Sequence, residues 1–264
     1  MQNRIDQTFQ RLRASGKKGF IAYIGAGDPS LEATEALVLA LEKAGVDLME
    51  LGVPFSDPLA DGIVNQLAAQ RGLNSGTTMR GVLDTVRRLR EKTQIPIVLY
   101  TYMNPVYVYG FREFLADAEA AGVDGVLFLD LPPDEDAGEF DVASNVHRIR
   151  LIAPTTPPER IAELTKRASG FIYYISREGV TGERATVAET IAEGVAAIRA
   201  TTDLPIAVGF GISNPEQAAE VAKHGDAVVV GSAIVKQIAN YGQCIDLAEK
   251  VADFVRPIAA ATKQ

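Results

Sequence analysis

The amino-acid sequence predicts a closed (β/α)₈ barrel, and three observations lead there. Eight short, apolar, β-branched runs recur along the 264 residues, and they are nearly continuous rather than alternating. Strands covered on both faces require that pattern. Longer amphipathic stretches separate the runs, as crossover helices separate the strands of a parallel sheet. No Pro/Ser-rich linker or shift of composition interrupts the alternation. One domain over residues 1–264 is therefore expected, a usual length for such a barrel, which takes about 250 residues.

The elements follow in order. The polar opening MQNRIDQTFQRLRASGKKG contains a short helix, Asp6–Ala14, suited to closing the barrel bottom. Strand one is Phe20–Gly25; Ser30 then caps a helix over Leu31–Ala44 that stops at Gly45. Strand two, Leu48–Gly52, is followed by an unusually long connection to a helix near Met79, and long loops in compact domains tend to be functional. Strands three, four and five are Ile95–Tyr102, Gly125–Leu131 and Arg148–Ala153, and Pro157-Pro158-Glu159 opens the next helix. Strand six is Phe171–Ser176 and strand seven Pro205–Gly209. Ser213-Asn214-Pro215-Glu216 begins a helix ending at Gly225, and strand eight, Ala227–Gly231, runs into a short helix. The whole is a TIM barrel with an extra N-terminal helix and a short helix after strand eight.

Composition narrows the function. A net charge of −8 argues against nucleic acid, which selects basic patches, and no Lys/Arg run is present to hold anionic lipid. Cys244 is the sole cysteine, so no intramolecular disulfide can form and a reducing compartment is expected. His147 and His224 with one thiol are too few for a zinc site of the usual kind, and no metal is expected. No apolar run approaches the ~20 residues that cross a bilayer, and the polar start lacks the apolar centre of a signal peptide. A cytoplasmic location is expected.

The chemistry is densest in Glu50–Gly62, ELGVPFSDPLADG. Glu50 sits between apolar neighbours on strand two, where alternate side chains enter the barrel. A carboxylate there is desolvated and its pKa rises toward neutrality, useful for proton transfer. The structural alternative is a buried Glu paired with Lys or Arg, yet the strand interiors offer no obvious basic partner. Asp61 follows on the loop, either a turn residue or a second carboxylate in a different environment, and such pairs divide acid and base roles. Asp57, within Ser-Asp-Pro, fits a turn better. Late in the chain, Val208-Gly209-Phe210-Gly211-Ile212-Ser213 and Val230-Gly231-Ser232-Ala233-Ile234 leave adjacent strand ends, joined by Thr181-Gly182 after strand six. Glycines let backbone N–H groups approach an anion, a helix N-terminus adds its dipole, and phosphate sites after strands seven and eight recur in these barrels. Tight turns without a ligand are the alternative. Tyr23, Tyr100, Tyr102 and Tyr173 near the strand ends suggest a flat, partly polar ligand or simple packing. Ser176–Arg184, polar and glycine-bounded, suits a lid or a static solvated loop.

At these residues the sequence resembles the tryptophan synthase α-subunit family. The resemblance runs from Gly27-Asp28-Pro29 to Gly231-Ser232-Ala233-Ile234-Val235, with Glu50–Gly62 as its most specific piece. Tyr102-Met103-Asn104-Pro105, Asp130-Leu131-Pro132, Ala153-Pro154-Thr155-Thr156 and Ser176–Gly182 keep the same order and spacing. The resemblance implies a lyase that splits indole-3-glycerol phosphate into indole and glyceraldehyde 3-phosphate by retro-aldol cleavage. It implies Glu50 and Asp61 as catalytic carboxylates, and Thr181, Gly182, Phe210, Gly211, Gly231 and Ser232 around the phosphate. Tyr23, where the family often has Phe, and Tyr100 fall on the indole pocket, and Tyr173 on a tyrosine packed near Glu50. No cofactor is implied for this chain; pyridoxal phosphate is expected in a β-subunit partner, in an α₂β₂ complex that passes indole through a tunnel. Candidate partner contacts are Pro54–Pro58, Asn104-Pro105 and Pro132-Pro133-Asp134. Ile63 replaces the family's usual Pro, Glu178 a frequent Ala and Ala22 a frequent Pro. A free-standing lyase without a β subunit, another phosphate-binding barrel enzyme and a non-catalytic barrel subunit are the competing readings. Glu50 and Asp61 argue against the last.

Overall fold

The computed structural model describes residues 2–132, 144–175, 184–209 and 211–263, the side chains of 184–188 excepted. Eight parallel strands close into a barrel: β1 (Gly19–Gly25), β2 (Leu48–Gly52), β3 (Ile97–Thr101), β4 (Gly125–Phe128), β5 (His147–Ile152), β6 (Ile172–Ile175), β7 (Ile206–Gly209) and β8 (Ala227–Val230). Each pairs with its neighbour in sequence, and β8 closes on β1 through registers such as Ile21 with Val229. The described helices are α1 (Arg4–Ala14), α2 (Leu31–Lys43), α3 (Ile63–Asn74), α4 (Met79–Arg90), α5 (Met103–Tyr109), α6 (Phe111–Ala121), α7 (Pro158–Lys166), α8 (Arg184–Arg199), α9 (Pro215–Ala222), α10 (Ser232–Tyr241) and α11 (Leu247–Ala261). None is long and apolar enough to cross a membrane, among the described residues.

Two cores follow from the strand period of two. Phe20, Ala22 and Ile24 of β1, with Met49 and Leu51 of β2, pack outward against the helices. Ile21, Leu48, Val98, Leu127, Ile149, Ala207 and Val229 point inward and fill the barrel. The lower end of that inner core is closed by α1, as its sequence suggested. Asn3 caps α1 by accepting from the Ile5 N–H at 2.9 Å, which aims Ile5, Phe9 and Leu12 at the barrel floor. The Phe9 and Phe171 rings meet at 5.7 Å between centroids.

The caps assigned from sequence are present: Ser30 accepts from the Ala33 N–H and Asn214 from the Gln217 N–H. Strand and helix ends differ by a few residues, and the differences have causes. β3 starts at Ile97 rather than Ile95 because Pro96 has no N–H for the ladder. Tyr102 lies past β3 as the residue that opens α5, and Asn104-Pro105 lies inside that helix. The largest correction concerns the connection after β2. It is not a long loop: α3 occupies Ile63–Asn74 within it. Only Ala68 and Gly72 of α3 are buried, so the segment lacks the broad apolar stripe that announces a helix. Small size is what those positions need. A Cβ on Gly72 would meet the Ala26 carbonyl at 2.7 Å, and Ala68 sits against Gly25. Arg71 then fastens α3 to the β1–α2 turn through a bidentate pair with the buried Asp28, both contacts at 2.7 Å.

Candidate active site

Glu50 is the middle residue of β2, and the strand's alternation sends it inward, level with Tyr23 on β1 and Val98 on β3. It is fully buried, and neither carboxyl oxygen has a hydrogen-bond partner. Burial alone pushes its pKa up to about 8, so the neutral acid predominates at pH 7. No Lys or Arg is among the described residues lining the cavity beside it.

Asp61 arrives by a different route. A turn in which its N–H bonds the Pro58 carbonyl at 3.0 Å, and a bond from Gln66 Nε2 to its own carbonyl at 2.8 Å, fix its backbone at the start of α3. Its carboxylate accepts from the Tyr100 hydroxyl at 3.0 Å and from the Tyr102 hydroxyl at 2.8 Å. Tyr102, having given its proton to Asp61, accepts from the Ala60 N–H at 3.0 Å, so one hydroxyl ties the loop and orients the acid. Burial raises the pKa of Asp61, and hydrogen bonds from Tyr102, Tyr100 and Asn65 work against that rise. Asp57 instead accepts from its neighbour Ser56 on the exposed turn, as a turn residue does.

Tyr23, Tyr100 and Tyr173 all face the space above Glu50. Burial raises the pKa of each, so the hydroxyls stay neutral. The Tyr23 and Tyr100 rings meet edge to face at 4.9 Å. Tyr23 lies so close over Gly52 that a Cβ there would come within 2.3 Å of its hydroxyl, which requires glycine at that strand end.

The same cavity is lined by Gly209, Gly211, Gly231 and Ser232, with Gly209 beside Tyr173 and Gly231 beside Tyr23. Gly211 adopts φ +63°, a backbone state that favours glycine. Ser232 is the first residue of α10, so the free N–H groups of that helix begin at the cavity. The cavity encloses about 190 Å³. Its lining combines carboxyls and aromatic faces with glycine backbone and a helix N-terminus, which suits a flat ligand carrying an anion. Thr181, Gly182, Phe210 and the segment 176–183 lie outside the described residues, as do Pro133 and Asp134. No cluster of three or more His, Cys, Asp or Glu suited to a metal ion occurs among the described residues.

Sequence reasoning missed Asn65, Ile175 and Val229 on the cavity wall. Asn65 was hidden because its segment read as loop. A helix there would have put position 65 one turn from Asp61, which is the signal that could have found it.

Comparison with known proteins follows the same lines. The family profile described as tryptophan synthase alpha chain matches residues 9–263. The tryptophan synthase alpha chain of Opitutus terrae is 51% identical over 99% of this chain and 100% of its own length. That of Geotalea daltonii is 52% identical over 90% of this chain and 91% of its own. Among solved structures, a tryptophan synthase alpha chain from Legionella pneumophila superposes with a TM-score of 0.90 at 35% identity, covering 99% of this chain and 98% of the other. A chain of tryptophan synthase from M. tuberculosis gives 0.87 at 32% identity, with 98% of each covered.

Proposed function

The chain belongs to the tryptophan synthase alpha chain family, the lyases that cleave indole-3-glycerol phosphate to indole and glyceraldehyde 3-phosphate, and we propose that Glu50 and Asp61 carry this reaction. The observation that carries the assignment is a buried Glu50 without a hydrogen-bond partner, its pKa raised by burial, sharing one cavity with an Asp61 held by two tyrosines. The bond from indole C3 to the glycerol carbon breaks once C3 gains a proton, which leaves positive charge on the ring nitrogen. Glu50 delivers that proton. Asp61, as carboxylate, accepts the ring N–H and stabilises the charge. The carbon–carbon electrons then return to the ring, restoring indole. The side-chain hydroxyl gives its proton to the Glu50 carboxylate as the aldehyde forms, so no proton is gained or lost overall. Tyr23, Tyr100 and Tyr173 wall the ring. Gly211, Gly231 and Ser232 receive the phosphate, together with Thr181, Gly182 and Phe210, in one domain spanning 1–264.

The alpha-chain designation implies a beta-chain partner, and we place two of each in the complex, with pyridoxal phosphate held by the beta chain. Exposed Leu59 and Ile63 beside the Pro54–Pro58 turn, and exposed Tyr107 and Val108 on α5, support a docking face near the cavity mouth. The single cysteine supports a cytoplasmic setting. The test is indole release from indole-3-glycerol phosphate by this chain, alone and with a beta chain added. Slow release that rises with the partner supports the coupled reading, and fast release indifferent to it favours a free-standing lyase. Glu50→Gln and Asp61→Asn should each abolish most release; near-normal cleavage by Glu50→Gln would overturn the roles.

A further inference from the structure

Asn65 stands on the first turn of α3, four residues after Asp61, and lines the same cavity. Its side chain is close enough to the Asp61 carboxylate to help hold the pKa of that acid down, and only the amide NH₂ can donate to that acceptor. The amide oxygen, on the opposite side of the same plane, is buried and has no hydrogen-bond partner. A buried acceptor left unpaired is costly, and native proteins rarely keep one without a use for it. The nearby hydroxyls of Tyr100 and Tyr102 are already committed to Asp61, so neither satisfies it. A donor carried in by the ligand would.

We propose that Asn65 Oδ1 accepts the ring N–H of the substrate jointly with Asp61, making Asn65 a specificity-determining residue for N–H heteroaromatic rings. The proposal rests on the assignment of Asp61 to the ring nitrogen. The N–H becomes a stronger donor when C3 is protonated, and a neutral amide oxygen strengthens its hold then without competing for the proton. An apolar side chain at 65 would accept the ring face equally well and would not distinguish N–H from a ring sulfur. A site built around a donor rejects the analogue lacking it, because its acceptors are left unpaired.

The experiment compares two non-cleavable probes, 3-(indol-3-yl)propyl phosphate and 3-(1-benzothiophen-3-yl)propyl phosphate, by their Kd values for the wild-type chain and for Asn65→Leu. The wild type should prefer the indole compound. Asn65→Leu should shrink that preference about fivefold, the worth of roughly one hydrogen bond, with affinity for the benzothiophene compound held or improved. Should the leucine variant bind neither probe, Asn65→Ala supplies the same ratio without an added branch. A wild-type preference kept intact in the variant overturns the role of Asn65 alone. Equal binding of both probes by the wild type overturns the underlying assignment of Asp61 as well.

Discussion

Asp124 and Glu50 are both buried carboxyls of one barrel, at opposite ends, and their surroundings could hardly differ more. Asp124, just before β4, accepts from Arg4 at 2.9 Å, from Arg90 at 2.7 Å and from the Ile97 N–H at 2.8 Å. Its backbone carbonyl takes Asn3 Nδ2 and the His147 N–H. Glu50, inside the barrel at the middle of β2 and beneath the cavity, has no hydrogen-bond partner. Arg90, pressed down to about 10 by burial, still keeps its proton at pH 7 and so still serves Asp124. The lower end spends its buried charge on joining α1, α4, β3 and β4. The upper end leaves an acid uncompensated, at a cost to stability, and gains a proton donor poised near neutral pH. That division, stability at the strand starts and chemistry at the strand ends, is general to barrels of this kind. Here it comes down to two side chains.

Exchanging each acid for its amide should separate the two ends. Glu50→Gln should lower kcat for indole release about 10²- to 10⁴-fold, the range expected for a general acid–base group, with a folded and intact barrel by circular dichroism. Asp124→Asn should do the reverse. It leaves Arg4 and Arg90 facing a neutral amide, and breaking a buried pair costs about 3–5 kcal/mol, measurable by urea unfolding, while kcat of the folded fraction stays within about twofold of wild type. If Asp124→Asn lost activity and kept its stability, the contrast between the ends would collapse.

The uncompensated acid at the upper end also predicts a response to pH. The Glu50 pKa is raised in the fold, from 4.5 to about 8, so between those values the native state binds more protons than the unfolded chain. Stability from this group therefore declines as pH rises from about 4.5 to about 8, and is level above. Glu50→Gln has no such penalty. Its margin over the wild type should be near zero at pH 4.5 and grow to several kcal/mol by pH 8.5, read as the difference in unfolding free energy at each pH. A margin independent of pH would mean that Glu50 is not held protonated.

How much of this was legible beforehand follows the same physics. The barrel was, because eight doubly covered strands write continuous apolar runs, and Glu50 stood out as the charge inside one of them. The floor helix was readable as Asp6–Ala14, and the structure starts it at Arg4 and turns Ile5, Phe9 and Leu12 to the barrel. Helix α3 was not, since it is held by Ala68, Gly72 and the Arg71–Asp28 pair rather than by an apolar stripe. With α3 hidden, Asn65 was hidden too. Nor could sequence say which tyrosines turn to which task. Tyr100 and Tyr102 are two residues apart, yet one lines the cavity and both reach Asp61 because the chain leaves β3 between them.

Tyr102 gives the finest test of how the upper end is tuned. Burial drives Asp61 toward the neutral acid, and the Tyr102 hydroxyl is the strongest of the hydrogen bonds opposing it. Tyr102→Phe removes that bond, so the Asp61 pKa should climb further, and the carboxylate that stabilises the ring nitrogen should be lost at a higher pH. The acid limb of the kcat/KM profile should then move up, while the alkaline limb set by Glu50, near pH 8, stays in place. The active window narrows from one side only, with the loss in kcat/KM growing as pH falls. The freed Ala60 N–H lies on a partly exposed loop where water can take it, so little stability should go with the hydroxyl. A uniform drop in kcat/KM with both limbs unmoved would mean that Tyr102 holds the geometry of Asp61 and leaves its charge to Tyr100 and Asn65.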